Sequence, residues 1–347
     1  MGQGNVACVQ RDGFLETEMG ENMKKEAAEV LWHEVEAEDI FDLGLRVSFA
    51  GEVRPGQFVM VWTGDGSRLL GRPISICEAT AETGEIRLVY RQMGAGTKAL
   101  AKLAVGESVE VMGPLGNGFP VEAYKEKRVL LVGGGIGIPP LVGAGLALEK
   151  PAFAVGYRSE TYLMEELPVI GDVLVATEDG SLGTKGNVVD ALLTRERVFA
   201  RNVEAAKTAN DASLSNGEGP DAATNRKEAA SESMTEELGT AKAYGGKPLR
   251  AGETLPNYIR KPGWLAEGLA PEAIFTCGPL PMLRAVAAFA EERDIPCFVS
   301  MEERMACGVG ACLGCVTKTK HVDAHSGVTN ARICKEGPVF DAREVVL

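Results

Sequence analysis

Nine residues near the C-terminal end constrain this chain more than any other stretch. Cys307-Gly308-Val309-Gly310-Ala311-Cys312-Leu313-Gly314-Cys315 brings three thiols together, and a fourth, Cys334, follows. The first three have the C-x4-C-x2-C spacing of plant-type [2Fe–2S] ligands. Two irons need four thiolates, so one short loop supplies three and a returning segment supplies the last. Gly308, Gly310 and Gly314 let backbone amides approach the sulfurs and donate hydrogen bonds. A structural zinc ion also takes four cysteines, usually as two close pairs. Zinc and disulfides therefore remain alternatives at this point, and His321 and His325 read as polar loop residues between Cys315 and Cys334. Cys8, Cys77 and Cys297 read as ordinary surface or core thiols.

The rest of the chain divides by pattern. Residues 1–28 are polar and irregular and read as a flexible extension. Residues 29–124 show short β-type runs at 30–35, 40–49, 57–62, 73–77, 86–90 and 108–112, broken by Gly, Pro and Asp, with one helical piece at 97–103. That spacing predicts a small antiparallel β-barrel. Residues 125–297 alternate apolar strands (129–132, 153–157, 173–177, 274–277) with helical stretches (141–148, 280–292). This predicts an α/β doubly wound domain with a parallel sheet and helices on both faces. Within it, residues 201–254 hold few large apolar side chains and read as a mobile surface insertion, with a transient helix around 227–238. Residues 298–347 form a small third, cysteine-bearing unit. The expected architecture is thus multidomain.

Two constellations precede the cysteines. In the β-rich region, Arg72-Pro73-Ile74-Ser75 would set an extended backbone along an isoalloxazine edge while the Arg reaches a pyrophosphate. Val89-Tyr90-Arg91 offers an aromatic ring and a second guanidinium. Gly96-Thr97 leads into a helix start that suits an anion. Together they point to FAD. In the α/β region, Gly133-Gly134-Gly135-Ile136-Gly137 joins a strand to a helix, where glycines let amides approach a pyrophosphate. It departs from G-x-G-x-x-G, reading Gly135-x-Gly137-x-x-Pro140. Cys277-Gly278-Pro279 ends a later strand and would flank a nicotinamide. Cys277 itself reads as a small buried residue rather than a nucleophile. Residues 178–183 form another turn at a strand's end, and Arg158 offers a contact to an adenosine phosphate, so NAD and NADP are not distinguished.

The order Arg72-Pro73-x-Ser75, Gly96-Thr97, Gly113-Pro114-Leu115-Gly116, the glycine turn and Cys277-Gly278-Pro279 resembles the ferredoxin–NADP reductase superfamily. Met301-Glu302-Glu303-Arg304-Met305, leading into the cysteine run, resembles the electron-transfer subunits of NAD-linked dihydroorotate dehydrogenases. The resemblance spans residues 29–199 and 258–347. It implies FAD, a [2Fe–2S] cluster on Cys307, Cys312, Cys315 and Cys334, and NAD as electron acceptor. It also implies an FMN-containing catalytic partner that oxidises dihydroorotate, in a heterotetramer of two copies of each subunit. Two rival expectations are a reductase serving ferredoxin, sulfide or a hydrogenase, and a non-enzymatic redox sensor on the same scaffold.

Charge and hydropathy narrow the class further. A formal net charge of −13 disfavours a nucleic-acid partner, which needs a basic surface. Residues 1–30 hold no apolar run of signal-peptide length, and no run reaches the roughly 18 apolar residues of a membrane span. The expected location is the cytoplasm, with no membrane partner.

Overall fold

The computed structural model describes residues 23–64, 69–216, 263–265, 267–322 and 327–347. Residues 1–22 of the expected extension, the expected helix at 227–238, Cys8 and His325 lie outside them.

Seven antiparallel strands form the first sheet: β1 (Lys24–Ala37), β2 (Ile40–Arg46), β3 (Phe58–Trp62), β4 (Arg72–Ser75), β5 (Glu78–Thr80), β6 (Glu85–Arg91) and β7 (Ser108–Leu115), in the order β4-β3-β7-β1-β2-β6-β5. Alternation drives them: in β7 Val109 and Val111 are buried while Ser108 and Glu110 face solvent. The sheet curls into a half-barrel around Leu43, Leu45, Ile86, Leu88 and Val111. Its two edges meet where the chain leaves β4. The Ile76 N–H donates to the Gln57 carbonyl at 2.9 Å and the Cys77 N–H to the Arg87 carbonyl at 2.8 Å. Residues 24–28, expected in the extension, belong to β1 and pair with β7 from Lys24↔Gly113 onward. Ala28 sits fully buried in that pair, which the polar lysines and glutamates around it conceal in the sequence. Helix α1 (Ala95–Leu100) begins two residues before its expected start.

A short helix α2 (Val121–Tyr124) leads into the second sheet. Strands β8 (Arg128–Gly134), β9 (Lys150–Tyr157), β10 (Asp172–Thr177), β11 (Thr184–Lys185), β12 (Ala273–Cys277) and β13 (Cys297–Ser300) are parallel, in the order β11-β10-β9-β8-β12-β13. The central strands are buried along their length, as a sheet covered on both faces requires. Val129, Leu131, Phe153 and Val175 face α3 (Val142–Ala147) and α4 (Leu167–Ile170). Leu130, Val132, Ala154 and Leu174 face α5 (Val188–Asn216) and α6 (Leu280–Glu291). Each fully buried Leu or Val side chain contributes about 1.5–3 kcal/mol.

Two expectations are corrected. Residues 201–216, placed in the insertion, continue the backbone of α5. Ala, Glu, Lys and Arg are good helix formers, and a helix already nucleated at Val188 extends by propensity. The C-terminal unit is also not separate from Phe298 on. That residue lies in β13 of the parallel sheet, and after β14 (Val316–Lys318) and β15 (Asn330–Arg332), strand β16 (Val339–Asp341) returns to pair antiparallel with β13. The cysteine-bearing arm is sewn to the sheet at both ends.

Candidate functional site

The four cysteines converge where this arm folds against the half-barrel. Cys315 and Cys334 are each 2% exposed, Cys307 is half-buried and Cys312 faces solvent. The β14–β15 hairpin crosslinks the two buried ligands' arms: Val316 pairs with Arg332, and the Ile333 N–H donates to the Cys315 carbonyl at 2.9 Å. The Val309 N–H points at Cys307 Sγ (3.4 Å) and the Gly310 N–H at Cys334 Sγ (3.1 Å). Gly308 needs its missing side chain. Its φ is +72°, and a Cβ would lie 2.7 Å from Met60 Cγ of β3.

Cys312 lies near Cys307, and Cys315 near Cys334. Burial raises the Cys307 thiol, but the N–H groups of Val309, Cys312 and Ala311 outweigh it and bring it down to about 6. Burial, with Cys315 beside it, pushes Cys334 up to about 12 against the Gly310 N–H. Two pairs of thiols with amides aimed at the sulfurs fit a two-iron cluster, each iron taking two thiolates. His321 is exposed and lies outside this group.

The flavin residues lie on β4, on β6 and in the first turn of α1. Arg72–Ser75 make up β4, paired with β3 from Val61↔Arg72 to Phe58↔Ser75. The Arg72 guanidinium lies against Gly96 in the first turn of α1, where a Cβ would overlap it. Thr97 Oγ1 caps that helix, accepting the N–H of Met93 at 2.9 Å and of Gly94 at 3.1 Å. Ile74, Val89 and Tyr90 bury their side chains in the cores, so these residues offer a ligand chiefly their backbone. The Tyr90 ring stacks on Phe41 at 5.7 Å, and its hydroxyl meets His33 Nε2 at 2.9 Å. Cys77 and Cys297 are core thiols.

The glycine turn and the Cys277-Gly278-Pro279 turn stand side by side at the carboxyl ends of β8 and β12, in register at Cys277↔Gly133. They interlock too closely for side chains. A Cβ on Gly137 would overlap the Cys277 carbonyl, and one on Gly134 would strike Met282. Gly278, at φ +154°, would meet Met282 Cε at 2.7 Å. Cys277 is 1% exposed, and burial raises its thiol, with Glu302 adding to the rise and a hydrogen bond with Ser300 opposing it. A neutral buried thiol is not a nucleophile, as its sequence context suggested. The 178–183 turn is capped by its own residues, with Ser181 Oγ–H donating to Asp179 Oδ1 at 2.7 Å. Arg158 is exposed beside it.

Two residues near Arg91 escaped the sequence reading. Glu302 follows β13, open to solvent yet ringed by protein. Withdrawal from water raises its carboxyl, and Arg91 opposes that rise. Tyr162 is 5% exposed, and its hydroxyl has no partner among the described residues. Arg91 of β6 completes the group, its Nη2 4.0 Å from where a Gly135 Cβ would stand. Glu302 was traceable, since it follows a parallel strand at the carboxyl edge, where ligands bind in such sheets.

A half-barrel beside a doubly wound parallel sheet defines a reductase fold, here with a four-cysteine arm added. The same fold occurs in an NADH-dependent reduced ferredoxin–NADP oxidoreductase of known structure, with a TM-score of 0.62 and 23% identity over 92% of this chain and 90% of that one. Residues 30–119 match the oxidoreductase FAD-binding domain, and residues 302–346 match the iron–sulfur cluster binding domain of dihydroorotate dehydrogenase B. The dihydroorotate dehydrogenase B (NAD(+)) electron transfer subunit of Geobacillus kaustophilus is 34% identical over 90% of this chain and 94% of its own length. That of Lysinibacillus sphaericus is 32% identical over 94% of this chain and all of its own length. The chain belongs to the family of dihydroorotate dehydrogenase B electron transfer subunits.

Proposed function

We propose that this chain carries electrons from a separate FMN-containing dihydroorotate dehydrogenase subunit, through a [2Fe–2S] cluster and FAD, to NAD⁺. The oxidation of dihydroorotate to orotate that it serves belongs to pyrimidine biosynthesis. The observation that carries this reading is the four-cysteine arm, folded against the flavin-side sheet and sewn into the nucleotide sheet. When bound, the cluster passes single electrons, while the flavin takes electrons singly and yields a hydride.

The chain's own residues hold and orient these groups. Cys307, Cys312, Cys315 and Cys334 ligate the irons. Arg72–Ser75, Val89–Arg91 and Gly96–Thr97 contact FAD, with Arg72 on its pyrophosphate. Gly133, Gly134, Gly135, Gly137, Cys277, Gly278 and Pro279 receive NAD, their missing or small side chains leaving the backbone bare. The functional division runs near residues 124 and 300, into flavin, nucleotide and cluster-bearing parts, the last still paired to the nucleotide sheet through β16. Cys312 is the exposed thiol, so electrons enter on its side, where the partner docks in a heterotetramer of two copies of each subunit. No helix among the described residues is long and apolar enough to cross a membrane.

The test is anaerobic NADH formation from dihydroorotate and NAD⁺ by this protein mixed with the FMN subunit, each alone serving as control. Formation only in the mixture supports the assignment. No formation by protein loaded with FAD and cluster refutes the dihydroorotate donor.

A further inference from the structure

Asn117 follows β7 and touches none of the groups assigned above, yet its side chain is fully engaged. Its Oδ1 accepts the Val339 N–H at 2.9 Å, and its Nδ2 donates to the Val339 carbonyl at 2.7 Å and the Glu336 carbonyl at 3.0 Å. Its own N–H donates to the Gly337 carbonyl at 2.6 Å. The amide has one orientation, because an N–H can only donate and a carbonyl only accept. A single residue therefore joins the half-barrel to the segment that runs from Cys334 into β16.

Hydrogen bonds continue from it in both directions. Toward the flavin side, the buried Gln57 donates Nε2–H to the Gly116 carbonyl at 2.7 Å. The Gln57 carbonyl takes the N–H of Ile76, the residue after β4. Toward the cysteines, the Glu336 carboxylate grips the Arg332 guanidinium, with Nε at 3.0 Å. Arg332 Nη1 donates to the Gly310 carbonyl at 3.2 Å, and the Gly310 N–H donates to Cys334 Sγ at 3.1 Å. Gly310 stands at φ +80°, a conformation that suits glycine and presents its N–H and its carbonyl to these two partners.

We propose that Asn117 is a positioning residue for electron transfer. It fixes the Cys334 arm against the flavin-side strands and, through Glu336 and Arg332, holds the Gly310 N–H on a cluster sulfur. This rests on the assignment of the four cysteines as ligands of a two-iron cluster. Hydrogen bonds to cluster sulfurs stabilise the reduced, more negative state and raise the potential. Releasing the arm therefore lowers it.

The test uses the full-length, cofactor-loaded protein, as wild type, Asn117→Asp and Arg332→Lys. Asn117→Asp keeps the shape and the acceptor for Val339 but removes both donors. Arg332→Lys leaves the Asn117 contacts in place and removes the planar link to Gly310. Iron and FAD contents are measured first, then the cluster midpoint potential by redox titration followed by low-temperature electron paramagnetic resonance. The expected result is wild-type iron and FAD with the midpoint shifted lower in both variants. If Asn117→Asp loses its iron, Asn117→Ser, which removes the amide clasp without adding a negative charge, is titrated in its place and is expected to show the same lowered midpoint. Unchanged midpoints and spectra in both variants overturn the proposal while the cluster assignment stands. Absence of a two-iron signal in the wild type would instead overturn the cluster assignment on which the proposal rests.

Discussion

Cys312 is the one solvent-facing thiol of the four, so its loss disturbs packing least and tests ligation most directly. Cys312→Ser is expected to abolish the visible cluster absorption while FAD stays partly bound, and unaltered iron content in that variant would refute the ligand set. Arg72 tests the other cofactor. Its guanidinium lies over Gly96 rather than in a core, so Arg72→Ala should leave the fold intact and remove a bidentate phosphate partner. The expected outcome is faster loss of FAD on dialysis, read from the flavin-to-protein absorbance ratio. The grouping of the four cysteines was legible from sequence because three share one short loop, where spacing is geometry. Tyr162 was not legible, because only folding brings its hydroxyl, which has no partner among the described residues, near Arg91 and Glu302.

Between elements, the contact that sets the two sheets against each other is centred on Arg87 of β6. It holds the fully buried Asp42 of β2 at 2.7 Å and Glu166, just before α4, at 2.6 Å. Burial works against its charge, but the bonds to Glu166 and Asp42 prevail and raise its pKa. Arg87→Leu removes the countercharge of the buried Asp42, which keeps the Trp32 N–H, and should lower the unfolding free energy by about 3–5 kcal/mol, measured by urea denaturation. Glu36 sits at the same seam, its Oε1 accepting the Leu163 N–H at 3.3 Å. Burial raises its carboxyl, Glu166 and Asp42 add to the rise, and Leu163 and Arg87 offset part of it. A carboxyl raised by folding binds its proton more tightly in the folded state. Its contribution is complete below the unfolded value and is lost as pH climbs through the folded one. Glu36→Gln keeps the acceptor and removes that loss. The variant should melt above wild type at about pH 8, and the difference should vanish at about pH 3, well below the unfolded value, where Glu36 is protonated in both states. An equal difference at both pH values would exclude titration of Glu36 as the cause.

Across the whole molecule, strand type was readable wherever the pattern was local, and connection was not. The parallel sheet announced itself through continuous apolar runs such as 129–132, and its glycine turn through composition. The return of β16 to β13, and the clasp of Asn117 on Val339, join residues far apart in sequence by backbone groups, which every residue carries and no pattern reveals. The same limit applied at α5, where weighing buried area alone missed a helix extended by propensity. It also sharpens a test of residues 217–254. Among the described residues, the strand that follows β11 in the chain is β12. The chain is anchored again at Gly263, whose N–H donates to Asp172 Oδ1 at 3.1 Å, and at Leu265, whose carbonyl receives the buried Arg195 at 2.8 Å. Replacing residues 217–254 with a short Gly/Ser linker leaves both anchors and every proposed cofactor contact in place. FAD content, iron content and NADH-dependent reduction of an artificial acceptor should stay within about twofold of wild type, a change of about 0.4 kcal/mol in the barrier. A tenfold loss with both cofactors retained would show that this span contributes to nucleotide use. Loss of FAD or iron would show instead that the span supports the cofactor sites.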